Sequence, residues 1–212
     1  MVLTKEPFDW NVIVLGFWNP AILTPAGISR RLFENPPNIP LQVEVPLDGL
    51  TPHRVKQNGV VVIADTSRLL VQPEVSNYET LRTAMEVCIK AIRNLPETPF
   101  SAAGFNLRFK LGNVPAEFIA AVNPEVDGLL SEKGYIIRSR TMKRSLSFKA
   151  GDLNLSIIQN PNEELKLEYN FHRQSAIPAE LIEWLATSKE EIEAEAEKIL
   201  KIVEPVLQES AS

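Results

Sequence analysis

One cysteine, two histidines and nine glycines are all that the 212 residues contain of these three types, and each scarcity removes a class of chemistry. Cys88 has no second thiol in the chain, so neither an intrachain disulfide nor a CxxC metal or redox pair can form. His53 and His172 stand far apart, neither in an HExxH setting, which leaves a multi-histidine zinc site without ligands. A serine hydrolase would have to draw its base from those two rings, and no GxSxG turn is present to expose a nucleophile. None of the glycines falls in a GxG or GxxxxGK[ST] spacing, so the backbone-amide cradles of dinucleotide and P-loop sites are missing. Long apolar runs are missing too. The longest, Val12 to Trp18, is interrupted by Gly16 and is far too short to cross a bilayer. Met1 to Trp10 carries acids and does not read as a signal peptide. The expected compartment is a reducing one, the cytoplasm.

Positive charge is also in deficit, with 22 basic against 27 acidic side chains and a net charge of −5. That balance argues against a protein built to neutralise a phosphate backbone, so neither nucleic acid nor a membrane is an expected partner. What is present is ordinary globular material: 44% hydrophobic and 23% charged residues, enough to bury a sizeable core.

Trp10 to Trp18 reads as a buried strand. Thr24-Pro25 then offers an N-cap followed by proline at the first helical position, predicting a short helix to about Phe33. Leu41, Val43, Val45 and Leu47 alternate with polar residues and Pro46, the pattern of an edge strand. Asn58-Gly59 supplies the positive φ angles of a tight hairpin turn between Arg54 to Gln57 and Val60 to Ala64. Arg68 to Gln72 adds a strand. Between Tyr78 and Leu95, Leu81, Ala84, Met85, Cys88, Ile92 and Leu95 share one face of a helix. Phe105 to Leu111 alternates again, Pro115 to Val122 suits a short helix, and Pro124 to Gly134 reads as a connection. Strands are predicted at Tyr135 to Phe148, Leu153 to Gln159 and Leu165 to Phe171, with a turn at Asn160-Pro161-Asn162. A helix can begin near Pro178, and the capping-box pattern Ser188-Lys-Glu-Glu191 starts a long terminal one that Pro205 ends.

Hairpins outnumber candidate βαβ crossovers, so the expected class is α+β: mainly antiparallel sheet, continuous or in two lobes, with helices packed on one face. Residues 1–212 form a single unit in this reading. Within it, two strand-rich stretches of similar plan, 1–112 and 124–212, are joined through 113–134.

Three constellations stand out. Arg138, Arg140 and Arg144 share one parity along a predicted strand, with Lys143 on the other side, and such a row could hold phosphate or carboxylate. Met142, Leu146 and Phe148 share the same parity, so the arginines either lie past a twist or cover apolar surface with their stems. Trp18, Asn19 and Pro20 sit at a rigid strand exit that either lines a partner or ligand groove or caps the core. Asp152 with Glu164 and Lys166 loosely resembles the Asp…Glu-x-Lys arrangement of restriction-type metal-dependent nucleases. That resemblance implies Mg²⁺ held by the two carboxylates and a lysine that assists water. The plain reading of the last is an ordinary hairpin, with His172 and His53 as surface imidazoles and Cys88 as a core thiol.

The expectation is a non-catalytic interaction or assembly module without cofactor or metal, acting through a protein partner or a second copy. The alternative is an enzyme or ligand binder for a small anion held by Arg138, Arg140 and Arg144.

Overall fold

The computed structural model describes residues 5–36, 39–48, 51–112, 125–160 and 165–203. Along the chain run β1 (Asp9–Gly16), α1 (Pro25–Leu32), β2 (Gln42–Glu44), β3 (Arg54–Gln57), β4 (Val60–Ala64), β5 (Arg68–Pro73), α2 (Tyr78–Asn94) and β6 (Phe100–Leu111). There follow α3 (Glu125–Glu132), β7 (Arg140–Phe148), β8 (Gly151–Gln159), β9 (Leu165–Gln174), α4 (Pro178–Leu185) and α5 (Lys189–Val203).

All nine strands join one antiparallel sheet in the order β2-β3-β4-β5-β1-β6-β9-β8-β7. The fold is α+β. Two meanders build it. From β1 the chain leaves, returns through β3 and β4, and closes with β5 beside β1; from β6 it returns through β7 and β8 and closes with β9 beside β6. The central β1–β6 ladder is the seam between them.

Local chemistry explains most boundaries. The Thr24 side chain accepts from the Gly27 amide, with Pro25 at the first helical position of α1. Asn77 caps α2 by accepting from Thr80. Asn58 at φ 52° and Gly59 at φ 76° make the β3–β4 turn. Ser188 and Glu191 bond each other's backbone amides at 3.1 and 3.2 Å, closing the capping box of α5. The Leu41 to Leu47 alternation yields only three strand residues, since Pro46 lacks a donor and Val45 and Leu47 stand exposed. The predicted helix at 115–122, the turn beyond Asn160 and the stop at Pro205 lie outside the described residues.

Strand alternation divides the sheet into two faces. On one, Val12, Phe105, Leu107, Tyr169 and Phe171 are fully buried beneath α2 and α4, with α1 and α5 packed alongside α2. Phe105 stacks on Phe171 at 4.6 Å, and Phe148 meets Phe171 edge-on at 5.0 Å. Each such pair adds about 0.5–1.5 kcal/mol beyond its buried area. Tyr169 reaches α5 by donating to the Ala196 carbonyl at 3.3 Å. The other face carries mostly half-exposed polar side chains. Among the described residues no helix is long and apolar enough to cross a membrane.

Candidate functional site

Register, rather than any local motif, assembles the polar face. Asn11 lies opposite Asn106, Asn106 opposite Asn170, and Asn170 opposite Asn154, so four asparagines form a row across β1, β6, β9 and β8. Each rung is a side-chain amide bond: Asn106 to Asn11 at 2.6 Å, Asn170 to Asn106 at 2.7 Å and Asn154 to Asn170 at 3.0 Å. One row over, Arg108 is held between Asp9 and Glu168. A charge flanked in this way is committed to the sheet.

On the other side of the ladder, Ser147, Asp152 and His172 lie side by side on β7, β8 and β9. The residue types are those of a hydrolytic triad, but the order is wrong for one. A base must lie between nucleophile and carboxylate, whereas here the carboxylate occupies the middle strand. Asp152 and Lys166 are kept apart by the same register. Asp152 pairs with His172 and Lys166 pairs with Ile158, so they are six positions apart, about 20 Å along the sheet at roughly 3.3 Å per residue. Glu164 lies outside the described residues, within which no group of three or more potential metal-ligating side chains converges.

The three arginines of the β7 region do not meet. Arg140 bonds Asp127 of α3, Arg144 turns back on the Lys143 carbonyl at 2.8 Å, and Arg138 is exposed ahead of the strand. Their parity is explained by Met142 and Phe148, which pack on the core from the same side of β7. Arg144 therefore lies on the helix-bearing side of the sheet, at its outer margin. Trp18 is buried, donates its indole N–H to the Val14 carbonyl at 3.1 Å and meets Phe100 edge-on. Asn19 is exposed and accepts from the Ala21 amide, and Pro20 is exposed. Of these three, Trp18 caps the core and the other two form the turn.

Cys88 is fully buried in α2, and that burial pushes its thiol well above the usual range, the opposite of what a nucleophile needs. Burial also raises Tyr78, with Glu193, Glu6 and Glu197 adding to the effect. The His53 ring lies 3.2 Å from the Leu23 carbonyl.

Two features escape motif reading. The first is the β7 edge. Among the described residues no strand pairs with its outer side, and the neighbouring α3 buries none of its residues. Val126, Leu129 and Leu130 of α3, Tyr135 and Ile136 ahead of β7, and Leu146 on β7 are exposed, as are Arg138, Lys143 and Arg144. The second is a cleft of about 500 Å³ along α1, bordered by Ile22, Ser29, Arg30, Arg31, Asn35 and Ile39 among others, with no carboxylate among the described residues of its lining.

No protein-family model matches the chain, and no curated protein matches its sequence.

Proposed function

We propose that the protein is a non-catalytic assembly module that captures an extended, acidic segment of a partner protein along β7, adding it to the sheet as a further strand. The observation that carries this reading is the inequality of the two sheet ends. At one end β2 offers three residues, with Pro40 and Pro46 on either side, a blunted edge. At the other end β7 offers nine, a length that suits recognition by strand addition. Exposed apolar side chains of α3 and of Tyr135 and Ile136 extend the surface beside it.

Charge selects the partner. Lys143 and Arg144 are exposed on β7 in a chain that is acidic overall. The antiparallel register that would pair all nine residues with a second copy places Arg144 opposite Arg144, and like charges directly opposed are destabilising. An acidic strand meets no such penalty. A cytoplasmic setting, in keeping with a lone buried thiol, belongs to the same proposal.

The test uses two labelled ten-residue peptides of alternating threonine and valine, one bearing glutamates and the other lysines, followed by fluorescence anisotropy. The acidic peptide is expected to bind, more weakly as salt rises, and the double variant K143E/R144E is expected to reverse the preference. Equal affinity for both peptides, or none for the acidic one, overturns the reading. So does a concentration-dependent dimer of the protein by light scattering, which would assign the edge to a second copy.

A further inference from the structure

We infer that the cleft along α1 binds a small organic anion with an apolar chain, a carboxylate or a phosphate monoester, whose charged head lies against Arg30 and Arg31. This inference does not depend on the β7 reading, since the cleft lies on the opposite half of the molecule's sheet order, beside α1 rather than β7.

The charge of the cleft is the first argument. Two guanidiniums border it and, among the described residues, no carboxylate does. Elsewhere the basic side chains Arg54, Lys56, Arg108, Arg173 and Lys189 have acidic partners; among the described residues neither Arg30 nor Arg31 forms an ion pair. The Arg31 Nε is buried with no hydrogen-bond partner in the described structure. That nitrogen is closed to solvent and so to an anion in the open cleft; what the cleft offers a ligand is the unpaired charge of the two guanidiniums. Favourable interaction with the α1 C-terminal carbonyls accounts for arginines in the last helical turn, but it leaves both without an acidic partner among the described residues.

Rigidity is the second argument. Asn35 donates to Ser29 Oγ at 2.9 Å and exchanges amide bonds with Gln57 at 2.8 and 3.0 Å. That network holds the polar wall in place before any ligand arrives, which lowers the cost of binding. Ser29 is only 8% exposed, and because its oxygen already accepts from Asn35, its hydroxyl proton is oriented to donate elsewhere. Ile22 at 38% and Ile39 at 42% exposure also line the cleft and supply apolar surface. A volume of about 500 Å³ falls within the range of small-molecule sites. Inorganic phosphate would use the arginines and leave the isoleucines wet; a chain attached to the anion covers both.

Isothermal titration with octyl phosphate, octanoate, octanol and inorganic phosphate separates the possibilities. Octyl phosphate or octanoate is expected to bind, and which of the two binds more tightly identifies the head group; octanol and inorganic phosphate are expected to bind at least about tenfold more weakly. The exposed Arg30 can be changed without loss of packing, so R30Q is expected to weaken the amphiphile about tenfold or more. R31K, which keeps the charge and loses the fork, is expected to weaken it less than R31Q. The K143E/R144E variant should bind it like the unchanged protein. Binding of neither amphiphilic anion, or equal binding in R30Q, overturns the inference.

Discussion

Asn106 and Asn170 face each other across the β6–β9 ladder and share a side-chain amide bond of 2.7 Å. Asn106 hands a second bond to Asn11, which is more than nine-tenths buried. An amide that both donates and accepts within a row is worth more to the sheet than one at its end, because its removal orphans two neighbours. N106A is therefore expected to cost about 1–3 kcal/mol, and N154A, which leaves only the outer acceptor of Asn170 unpaired, clearly less. Urea unfolding midpoints of the two variants measure the difference.

The β6–β9 contact is also close in its backbone. A Cβ on Gly104 would lie 2.5 Å from the Phe171 carbonyl oxygen, a main-chain atom that cannot step aside without parting the strands. G104A is expected to destabilise by about 1–3 kcal/mol. Gly128 in α3 meets nothing within 4 Å, so G128A is expected to leave stability unchanged or to raise it by up to about 1 kcal/mol. Thermal melts of the pair check both signs.

Glu191 links stability to pH. Its hydrogen bond from Lys149, with the Ser188 backbone amide next, holds its carboxyl below the usual glutamate range. A carboxyl lowered in the folded state contributes stability that is present above its unfolded value and is lost as pH falls through the folded one. The stability difference between the unchanged protein and E191Q should therefore be constant from pH 6 to 8 and shrink toward zero as the solution is acidified below about pH 4. Denaturant unfolding at pH 7 and pH 3 reads it directly.

Turn and cap chemistry made much of this fold legible in advance. Asn58-Gly59, Thr24-Pro25 and Ser188 to Glu191 each act through neighbours in sequence, and each does in the structure what its residue types dictate. The alternation in Leu165, Leu167, Tyr169 and Phe171 likewise marks the buried face of β9. Where alternation was weak, boundaries moved. β6 begins at Phe100 because Ala102, Ala103 and Gly104 are all buried between flanking strands, a run with no period to read. β7 begins at Arg140, with Tyr135 and Ile136 exposed before it.

Long-range pairing was the part that could not be read. Asn11, Asn106, Asn154 and Asn170 each occupy a polar position on an alternating strand, a sign of the wet face but not of the row they form. Arg30 and Arg31 carry no spacing signal, since a basic pair near a helix end is ordinary complementation of the dipole; only the cleft they border distinguishes them. The same holds for the β7 edge, whose position at the end of the sheet follows from strand order alone.

Amide hydrogen exchange across β7, with and without the acidic peptide, probes strand capture most directly. Slowed exchange at alternate amides between Arg140 and Phe148, with the rest of the sheet unaltered, is the predicted result. Slowing centred on β2 or on the asparagine face, or no slowing in a mixture where the peptide is bound, would contradict it.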